Sequence, residues 1–493
     1  MEHDKIAIVG AAQHSDREGD PRQHPAEAMA AAARAALEDA GIGELARVDL
    51  LACVEPFAWT YADLGASVAA GIGLPERVEH LWTLAGGTSP QDLLHKIGAR
   101  VAAGEIDCAV ICGAESMRTR RKAAKEGRDL DWPPRPEGVH PMRGQPRFVS
   151  DLEYAHGVTL ATHFFPLLEN AIRTARGRSA AEQRRHAAEL LAANARVAAD
   201  NPHAWFRDAP TADEIETVTR SNRLISYPYT KRMNAIMEVD QSAALVVASE
   251  SFARAQGLES RSAIVLGGAG AEEIWNPIER HTFAECPAMA LAIGTALERA
   301  GLAAGDLDAM DLYSCFPSAI QLGLRALGLE ADRPLSLTGG LAFAGGPGNA
   351  YVLHALAAAV ERIRKEPGAR LLVTGIGMAN TKHAATVLSG AAHVPEAATG
   401  ETTYREARDE TPREVDPRPT GAATVVTWTL EYDRAGAPSN AILYLDLDSG
   451  ARTIANMRDV AAAAQALLAA DPIGRRGRVE HDVAAGRNFF AFD

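Results

Sequence analysis

Residues 85–90 read Ala-Gly-Gly-Thr-Ser-Pro, and residues 344–349 read Ala-Gly-Gly-Pro-Gly-Asn. Each stretch is followed by a helical run and then by an apolar strand candidate, at 109–113 and at 371–375. At one common offset of 259 residues, three positions match: Gly86 with Gly345, His95 with His354, and Val101 with Val360. Two βαβαβ units in one chain predict two similar halves packed together, with a site where they meet.

The bulk composition narrows the class of protein. A chain of 493 residues is long enough for about three domains. The net charge of −14 disfavours nucleic acid and an anionic membrane as bulk partners. No signal-peptide pattern precedes the first strand candidate, and no apolar run approaches the roughly 20 residues that span a bilayer. The five cysteines do not form a disulfide framework, so we expect a cytoplasmic protein without membrane insertion and without a metal site.

The chain divides by composition into four stretches. The first half, 1–260, contains a polar excursion at about 120–235, after which an apolar segment resumes. The second half runs over 261–390. Residues 391–493 begin with a segment rich in Glu, Arg, Thr and Pro and continue with strand-like runs, which predicts a β-rich domain with an OB-like barrel as one candidate. The overall fold class is α/β.

Several strings resemble the thiolase superfamily. Residues 112–117, Cys-Gly-Ala-Glu-Ser-Met, are similar to the strand behind a thiolase nucleophile, and 313–316, Tyr-Ser-Cys-Phe, to the His-Asp-Cys-Phe string of sterol-carrier-protein-type thiolases. Residues 339–347 are similar to the Gly-Gly…Gly-His-Pro loop. The C-terminal β-rich stretch resembles the additional domain of thiolase-like proteins of type 1. The resemblance implies a duplicated five-layered αβαβα fold with an inserted loop domain.

The departures from the thiolase pattern bear on chemistry. At thiolase spacing, the acyl-accepting cysteine is replaced by Gly87 and the histidine of Gly-His-Pro by Gly346. The second cysteine falls at Thr374 or Gly375, and the Asn or His of the third motif is Tyr313. A Claisen thiolase needs a thiolate, a base and donors for oxyanions, so its ordinary chemistry is improbable on these residues.

Three side chains remain as catalytic candidates, namely Tyr313, Cys315 and His383. Tyr313 could move a proton or could be a packed aromatic residue. Cys315 is the motif cysteine that is left, or an inert buried thiol, and the fold could bring His383 near it. The pair His95 and His354 is expected to be structural, because the two occupy equivalent positions in the repeat.

The resemblance also implies where a ligand would bind. The glycine-rich turns could offer backbone donors to a carbonyl or a phosphate, through Gly87, Gly340, Gly345 and Gly346. Ser89 is expected to cap a helix, with a substitute nucleophile as the alternative. Basic residues of the excursion, Arg176 and Arg184 among them, are either a solvated helix face or the site of the CoA phosphates.

The resemblance therefore implies a protein that binds CoA or acyl-CoA, acyltransferase-like by ancestry, as a monomer or homodimer and with no required cofactor. Two alternatives stay open. One is a retro-aldol lyase that uses Tyr313, because related aldolases recruit a small β-rich partner. The other is a non-catalytic protein that binds CoA or another partner.

Overall fold

A computed structural model describes residues 4–20, 22–138, 147–407 and 410–493. The helices are α1 (Pro25–Ala40), α2 (Leu64–Ile72), α3 (Ser89–Ala102), α4 (Met117–Glu126), α5 (Asp151–Ala155), α6 (Ala161–Ala175), α7 (Ala180–Asp200), α8 (Ala212–Glu216), α9 (Glu250–Ala255), α10 (Pro287–Ala300), α11 (Pro317–Leu327), α12 (Tyr351–Lys365) and α13 (Val460–Ala469). The strands are β1 (Ile6–Ser15), β2 (Leu50–Cys53), β3 (Glu79–Trp82), β4 (Cys108–Ser116), β5 (Leu224–Ser226), β6 (Tyr229–Thr230), β7 (Asp240–Ser249), β8 (Ala263–Glu272), β9 (Ala309–Asp311), β10 (Leu371–Gly377), β11 (Lys382–Gly390), β12 (Thr402–Ala407), β13 (Thr420–Tyr432), β14 (Pro438–Leu447), β15 (Arg452–Asn456), β16 (Arg476–Asp482) and β17 (Arg487–Phe492).

The two halves have the same strand order. The first half runs β3-β2-β4-β7-β1, and the second runs β9-β10-β11-β8. The halves join edge to edge where β1 pairs with β8 in antiparallel register, Ala7 with Ile264 and Ile8 with Ala263. The predicted duplication is thus confirmed by the topology, with β2, β4, β7 and β1 equivalent to β9, β10, β11 and β8.

Helices form three layers around these strands. Helices α3 and α12 contact each other and strands of both halves, so they form the central layer. Helices α1 and α2 cover the outer face of the first half, and α10 and α11 cover the second. The result is the five-layered αβαβα arrangement expected from the sequence. Strands β4, β7 and β10 are buried along their whole length, which explains their continuous apolar sequence.

The repeat is also visible at helix ends. Helix α1 ends at Gly41 with φ 72°, and α10 ends at Gly301 with φ 65°. A left-handed residue terminates a helix at low cost only when it is glycine, which accounts for the repeated Ala-Gly dipeptide.

The excursion between β4 and β7 contributes α4 to α8 and the short strands β5 and β6. Its core includes a buried carboxyl group, Glu169, which accepts hydrogen bonds from Tyr229 Oη at 2.6 Å and from Gln321 Nε2 at 2.8 Å. Because Gln321 belongs to α11, this network fixes the excursion to the second half. No helix in the described parts of the chain is long and apolar enough to cross a bilayer.

The C-terminal strands close into a five-stranded barrel in the order β13-β14-β15-β17-β16-β13, with α13 between β15 and β16. This closed, mixed barrel has the OB-like topology considered from the sequence. It packs on the excursion: β13 pairs with β5, and Tyr227 stacks on Trp428 with ring centroids 4.8 Å apart. Asn170 Nδ2 donates to the Trp428 carbonyl at 2.8 Å, so the contact includes buried polar bonds.

Candidate functional site

The position that the thiolase resemblance assigns to the nucleophile has no room for a side chain. A β-carbon built on Gly87 would overlap the Ile376 carbonyl oxygen and the Tyr313 hydroxyl, and it would lie 2.6 Å from Tyr313 Cζ. The phenol of Tyr313 therefore occupies the volume of the missing cysteine side chain.

The opposing position is also a filled glycine. A β-carbon on Gly375 would lie 3.3 Å from the Gly87 carbonyl oxygen and 2.5 Å from Gln91 Oε1. Gln91 is fully buried and donates through Nε2 to the Val373 carbonyl at 2.9 Å. The structure thus identifies Gly375 as the residue facing Gly87, and two side chains fill the space between the halves.

The groups at this centre are held in their neutral forms. Burial raises the pKa of the Tyr313 phenol, with a further contribution from nearby Cys315. Burial also raises the pKa of the Cys315 thiol. No described residue forms a hydrogen bond with Tyr313 Oη, although its backbone N–H donates to Thr374 Oγ1 at 2.9 Å. At neutral pH the Tyr313 phenol is therefore protonated, and the Cys315 side chain is a thiol.

His383 lies beside a different cysteine from the one considered from the sequence. Its Nε2 is 3.1 Å from Cys286 Sγ and 3.1 Å from the Asn380 carbonyl oxygen, and Cys286 Sγ is 3.8 Å from Glu273 Oε2. In one tautomer, His383 Nε2–H donates a hydrogen bond to the Asn380 carbonyl oxygen. In the other, the unprotonated Nε2 accepts a hydrogen bond from the Cys286 thiol. Burial lowers the pKa of His383 to about 4, so the ring is neutral. The sequence left open that His383 could lie near Cys315, but the cysteine beside His383 is Cys286. No sequence motif marks Cys286 as a candidate.

His383 and Tyr313 line one cavity of about 10 Å³ between the strands and helices α10 and α11. This volume holds about one water molecule and no substrate. His383 Nδ1 is buried without a hydrogen-bond partner. Within the described ranges, no group of three His, Cys, Asp or Glu side chains is arranged to hold a metal ion.

Ser89 does not cap the helix as expected. It is the first residue of α3, Thr88 occupies the cap position, and Ser89 Oγ donates to the Leu84 carbonyl at 2.9 Å. The two repeated histidines instead connect the halves: His95 Nε2 lies 3.0 Å from Thr386 Oγ1, and His354 Nδ1 lies 3.1 Å from Gln13 Oε1. Since each bond joins one half to the other, these contacts agree with the structural role predicted for the pair.

A larger pocket, of about 340 Å³, opens beside the filled centre. Its walls come from the excursion and from residues 339–348, which we call the glycine-rich loop. The lining residues are Thr162, Phe206, Asp208, Ser221, Ile225, Lys231, Arg232, Asn234, Ala235, Ile236, Ala342 and Phe343. Most of the wall is apolar, and two cations lie on it. Such a cleft fits a slender, partly apolar ligand with an anionic end.

One wall of the pocket is tied to the candidate residues by backbone hydrogen bonds. The Ala235 N–H donates to the Cys315 carbonyl at 3.2 Å, and the Gly346 N–H donates to the Ile236 carbonyl at 2.8 Å. A β-carbon on Gly346 would have its nearest neighbour at 3.2 Å, so this position is less crowded than Gly87. Cys315 and Gly346 therefore each lie one backbone hydrogen bond behind a residue of the pocket wall.

The other two candidate glycines lie deeper in the same loop. A β-carbon on Gly340 would lie 2.5 Å from Ser314 Oγ, and one on Gly345 would overlap Gln241 Oε1. Both positions are close approaches of backbone to a buried polar side chain.

The pocket carries polar groups that the sequence analysis did not single out. Asn234 lines it, and Asn234 Oδ1 is buried without a hydrogen-bond partner. Lys231 is exposed, and Arg232 pairs with Asp208 at 3.3 Å. These residues could be recognised only after folding, because no motif marks them.

The predicted basic residues of the excursion do not line this pocket. Arg176 is exposed at the end of α6, where it borders a shallow groove of about 30 Å³ next to α11. Arg184 lies over the Tyr227 ring, 5.9 Å from its centroid. The cations that line the pocket are instead Lys231 and Arg232.

A buried carboxyl group lies behind the glycine-rich loop. Glu115 accepts hydrogen bonds from the backbone N–H groups of Phe57 and Ala58, at 2.5 and 2.9 Å. Burial raises its pKa to about 7, against the effect of those two bonds. The backbone of Gly348 packs against the same carboxylate, which leaves no space for a β-carbon there.

Comparison with known proteins supports the fold and the C-terminal domain described above. Residues 405–484 match the family model "Thiolase-like protein type 1 additional C-terminal domain". Human sterol carrier protein 2 is 25% identical over 147 residues, a match that covers 29% of this chain and 26% of that protein. The chain thus spans about a quarter of that curated relative.

Two solved structures extend the comparison. An Ltp2-ChsH2(DUF35) aldolase is similar with a TM-score of 0.60 at 20% identity, over 79% of this chain and 99% of that chain, a likeness of fold alone. A monomeric SCP2-thiolase like protein type 1 from Mycobacterium smegmatis has a TM-score of 0.82 and 30% identity, over 99% of each chain. This chain therefore belongs to the SCP2-thiolase-like proteins of type 1.

Proposed function

We propose that this protein binds a pantetheine thioester, CoA or acyl-CoA, in the 340 Å³ pocket and forms no acyl-enzyme at the position of the thiolase nucleophile. The observation that carries the proposal is the contrast between a filled centre and an open pocket. The Tyr313 phenol occupies the space of a nucleophile at Gly87, whereas the pocket beside it remains open.

The pocket lining supports a pantetheine arm. The arm carries amide N–H groups, and Asn234 lines the pocket with a buried oxygen, Oδ1, that accepts no hydrogen bond from a described residue. Leaving such an acceptor unpaired costs about 1–3 kcal/mol, which a bound amide would recover once the side chain turns into the pocket. Lys231 and Arg232 lie on the same wall and suit the phosphates of CoA. Binding here would bring the thioester toward Gly346 and Cys315.

Calorimetry with CoA and with pantetheine, which lacks the nucleotide, tests the pocket. We expect Lys231→Met to weaken CoA binding about tenfold, or about 1.4 kcal/mol, and to leave pantetheine binding unchanged. The matched control is Lys365→Met, because Lys365 is also an exposed lysine and lies at the end of α12. No binding of CoA, acyl-CoA or pantetheine at millimolar ligand would overturn the proposal.

Incubation with acetyl-CoA followed by intact mass measurement tests the absence of an acyl-enzyme. We expect no adduct, because Gly87 has no side chain and Cys315 is a thiol of raised pKa. A stable acetyl adduct on Cys315, together with full activity of Tyr313→Phe, would restore a covalent thiolase-like mechanism.

A retro-aldol lyase is the second candidate, favoured by the protonated Tyr313 phenol that no described residue hydrogen-bonds. In that reaction the bond between the α and β carbons breaks, and the thioester enolate takes its proton from the Tyr313 phenol. The β-hydroxyl becomes the carbonyl of the released product, and its proton restores the phenol of Tyr313. The barrel packed on the excursion suits this reading, since the aldolase of similar fold contains a DUF35 component.

Turnover of β-hydroxyacyl-CoA substrates decides between lyase and binding protein. A lyase should lose activity in Tyr313→Phe while its affinity for CoA stays the same. Tight CoA binding without turnover of any thioester would instead assign a non-catalytic role.

A further inference from the structure

The structure contains a strongly basic surface that the proposed function does not use. Helix α4 has five Arg or Lys among its ten residues and a single acidic residue, in a chain of net charge −14. The acidic residue, Glu126, is already paired with Arg128 at 3.0 Å. We propose that α4 docks an acidic protein that carries its acyl group on a phosphopantetheine arm, and that the arm enters the 340 Å³ pocket. This inference rests on the proposed function and names the donor for that pocket.

Two contacts connect helix α4 to the segments that line the pocket. The Arg118 guanidinium lies 5.4 Å from the ring centroid of Trp205, and the next residue, Phe206, lines the pocket. Arg121 forms an ion pair with Glu238, two residues after Ile236 in the pocket wall. A partner on α4 would therefore hold its arm next to the pocket.

The charges of α4 are available to a partner. Arg120, Lys122 and Lys125 form no ion pair with any residue in the described ranges. By contrast, Arg185 on α7 and Arg254 on α9 are each paired with a glutamate four residues away, Glu189 and Glu250. An acidic surface would neutralise charges of α4 that no described residue pairs.

The basic helix also has an energetic cost. Arg118 and Lys122 are four residues apart, as are Arg121 and Lys125, so both pairs place like charges on one face. Like charges at this spacing repel each other and destabilise the helix. An acidic partner would reverse the sign of this interaction on binding.

The surroundings favour a protein over free CoA as the occupant of this face. Phe206 and Met237 are 44% and 46% exposed near the pocket, and aromatic and Met side chains are enriched in protein interfaces. The charges of α4 extend over about 10 Å of helix, at about 1.5 Å per residue, which matches a row of carboxylates better than a single nucleotide. In the proposed function, Lys231 and Arg232 bind the phosphate end of the ligand inside the pocket.

The test measures the affinity of the full chain for an acidic acyl carrier protein charged with an acetyl-phosphopantetheine arm. We expect this protein to bind at least tenfold more tightly than the same protein without the arm. We expect Lys122→Glu/Lys125→Glu to abolish that binding and to leave CoA binding unchanged. Rising salt should weaken binding to wild type.

Two controls keep the outcome clear. Arg34→Glu/Lys365→Glu makes the same change in net charge at exposed residues of α1 and α12, and it should bind the charged carrier as wild type does. Binding unaffected by the α4 reversal, binding independent of the arm, or equal loss in the control would overturn the docking proposal. So would binding of α4 to anionic lipid vesicles as tight as that to the carrier. Absence of CoA binding would reject the proposed function itself, whereas CoA binding without carrier binding would reject only the docking.

Discussion

The centre between Gly87 and Gly375 and the adjoining pocket differ in how the chain fills them. At the centre, the two thiolase cysteine positions are glycines, and Tyr313 and Gln91 occupy the freed space. In the pocket, about 340 Å³ remains open, and the glycine at the thiolase histidine position lies one backbone hydrogen bond behind its wall. The difference teaches that two neighbouring regions of one fold can be filled to very different extents, one by buried side chains and the other left open.

The largest expected effect comes from alanine substitutions at one glycine of the filled centre and one glycine next to the pocket. Gly87→Ala should destabilise the protein by about 4 kcal/mol, because the new methyl overlaps a backbone carbonyl that cannot move away. Gly346→Ala should change stability by about 1 kcal/mol or less, since its nearest neighbour lies at 3.2 Å. Denaturant unfolding of both variants gives the two free energies of unfolding. Equal losses would mean that the centre is no tighter than the pocket wall.

The second effect concerns the carboxyl group behind the glycine-rich loop. The pKa of Glu115 is about 7 in the folded protein against an ordinary 4.5. Between these two pH values the folded state keeps a proton that the unfolded state has released. The stability that Glu115 contributes is therefore fully present below about pH 4.5 and is lost as the pH rises through about 7. The free energy of unfolding should fall by about 3 kcal/mol across that window, at about 1.36 kcal/mol per pKa unit.

Glu115→Gln supplies the comparison for this pH dependence. The difference in unfolding free energy between wild type and variant should change with pH over that window, while other carboxyl groups contribute equally to both proteins. Burial also raises the pKa of Glu431 to about 7, so a residual slope is expected in the variant. A difference independent of pH would show that Glu115 ionises normally.

The smallest effect separates two buried tyrosines. Tyr313→Phe should cost about 0.5 kcal/mol, because no described residue hydrogen-bonds its hydroxyl. Tyr229→Phe should cost about 2 kcal/mol, since its hydroxyl bonds Glu169 at 2.6 Å and Ser318 Oγ at 2.9 Å. Thermal or denaturant unfolding of both variants measures the contrast. A larger loss for Tyr313→Phe would mean that the phenol is a structural anchor of the centre.

Much of the fold could be predicted from the sequence, because the repeat and the apolar strands are local signals. The strand candidates at 109–113 and 371–375 lie within β4 (Cys108–Ser116) and β10 (Leu371–Gly377). Ser89 was misplaced by one position, since a cap and the first helical residue differ only in backbone geometry.

Less of the candidate site could be predicted, because its members come from distant segments. Asn234 and Lys231 have no motif, and they become a site only when the excursion packs on the glycine-rich loop. His383 was named from the sequence as a catalytic candidate that the fold could bring near Cys315; its contact with Cys286 depends on how α10 meets β11.

The sequence by itself determined that the chain has two related halves and that position 87 carries no side chain, because folding cannot supply a side chain to a glycine. Only the tertiary structure decided what replaced it. Close packing does not leave a void of side-chain size, and Tyr313 and Gln91 fill the space between the halves. A pocket of about 340 Å³ stays open where the excursion and the glycine-rich loop meet, and backbone hydrogen bonds from Ala235 to Cys315 and from Gly346 to Ile236 fix one of its walls.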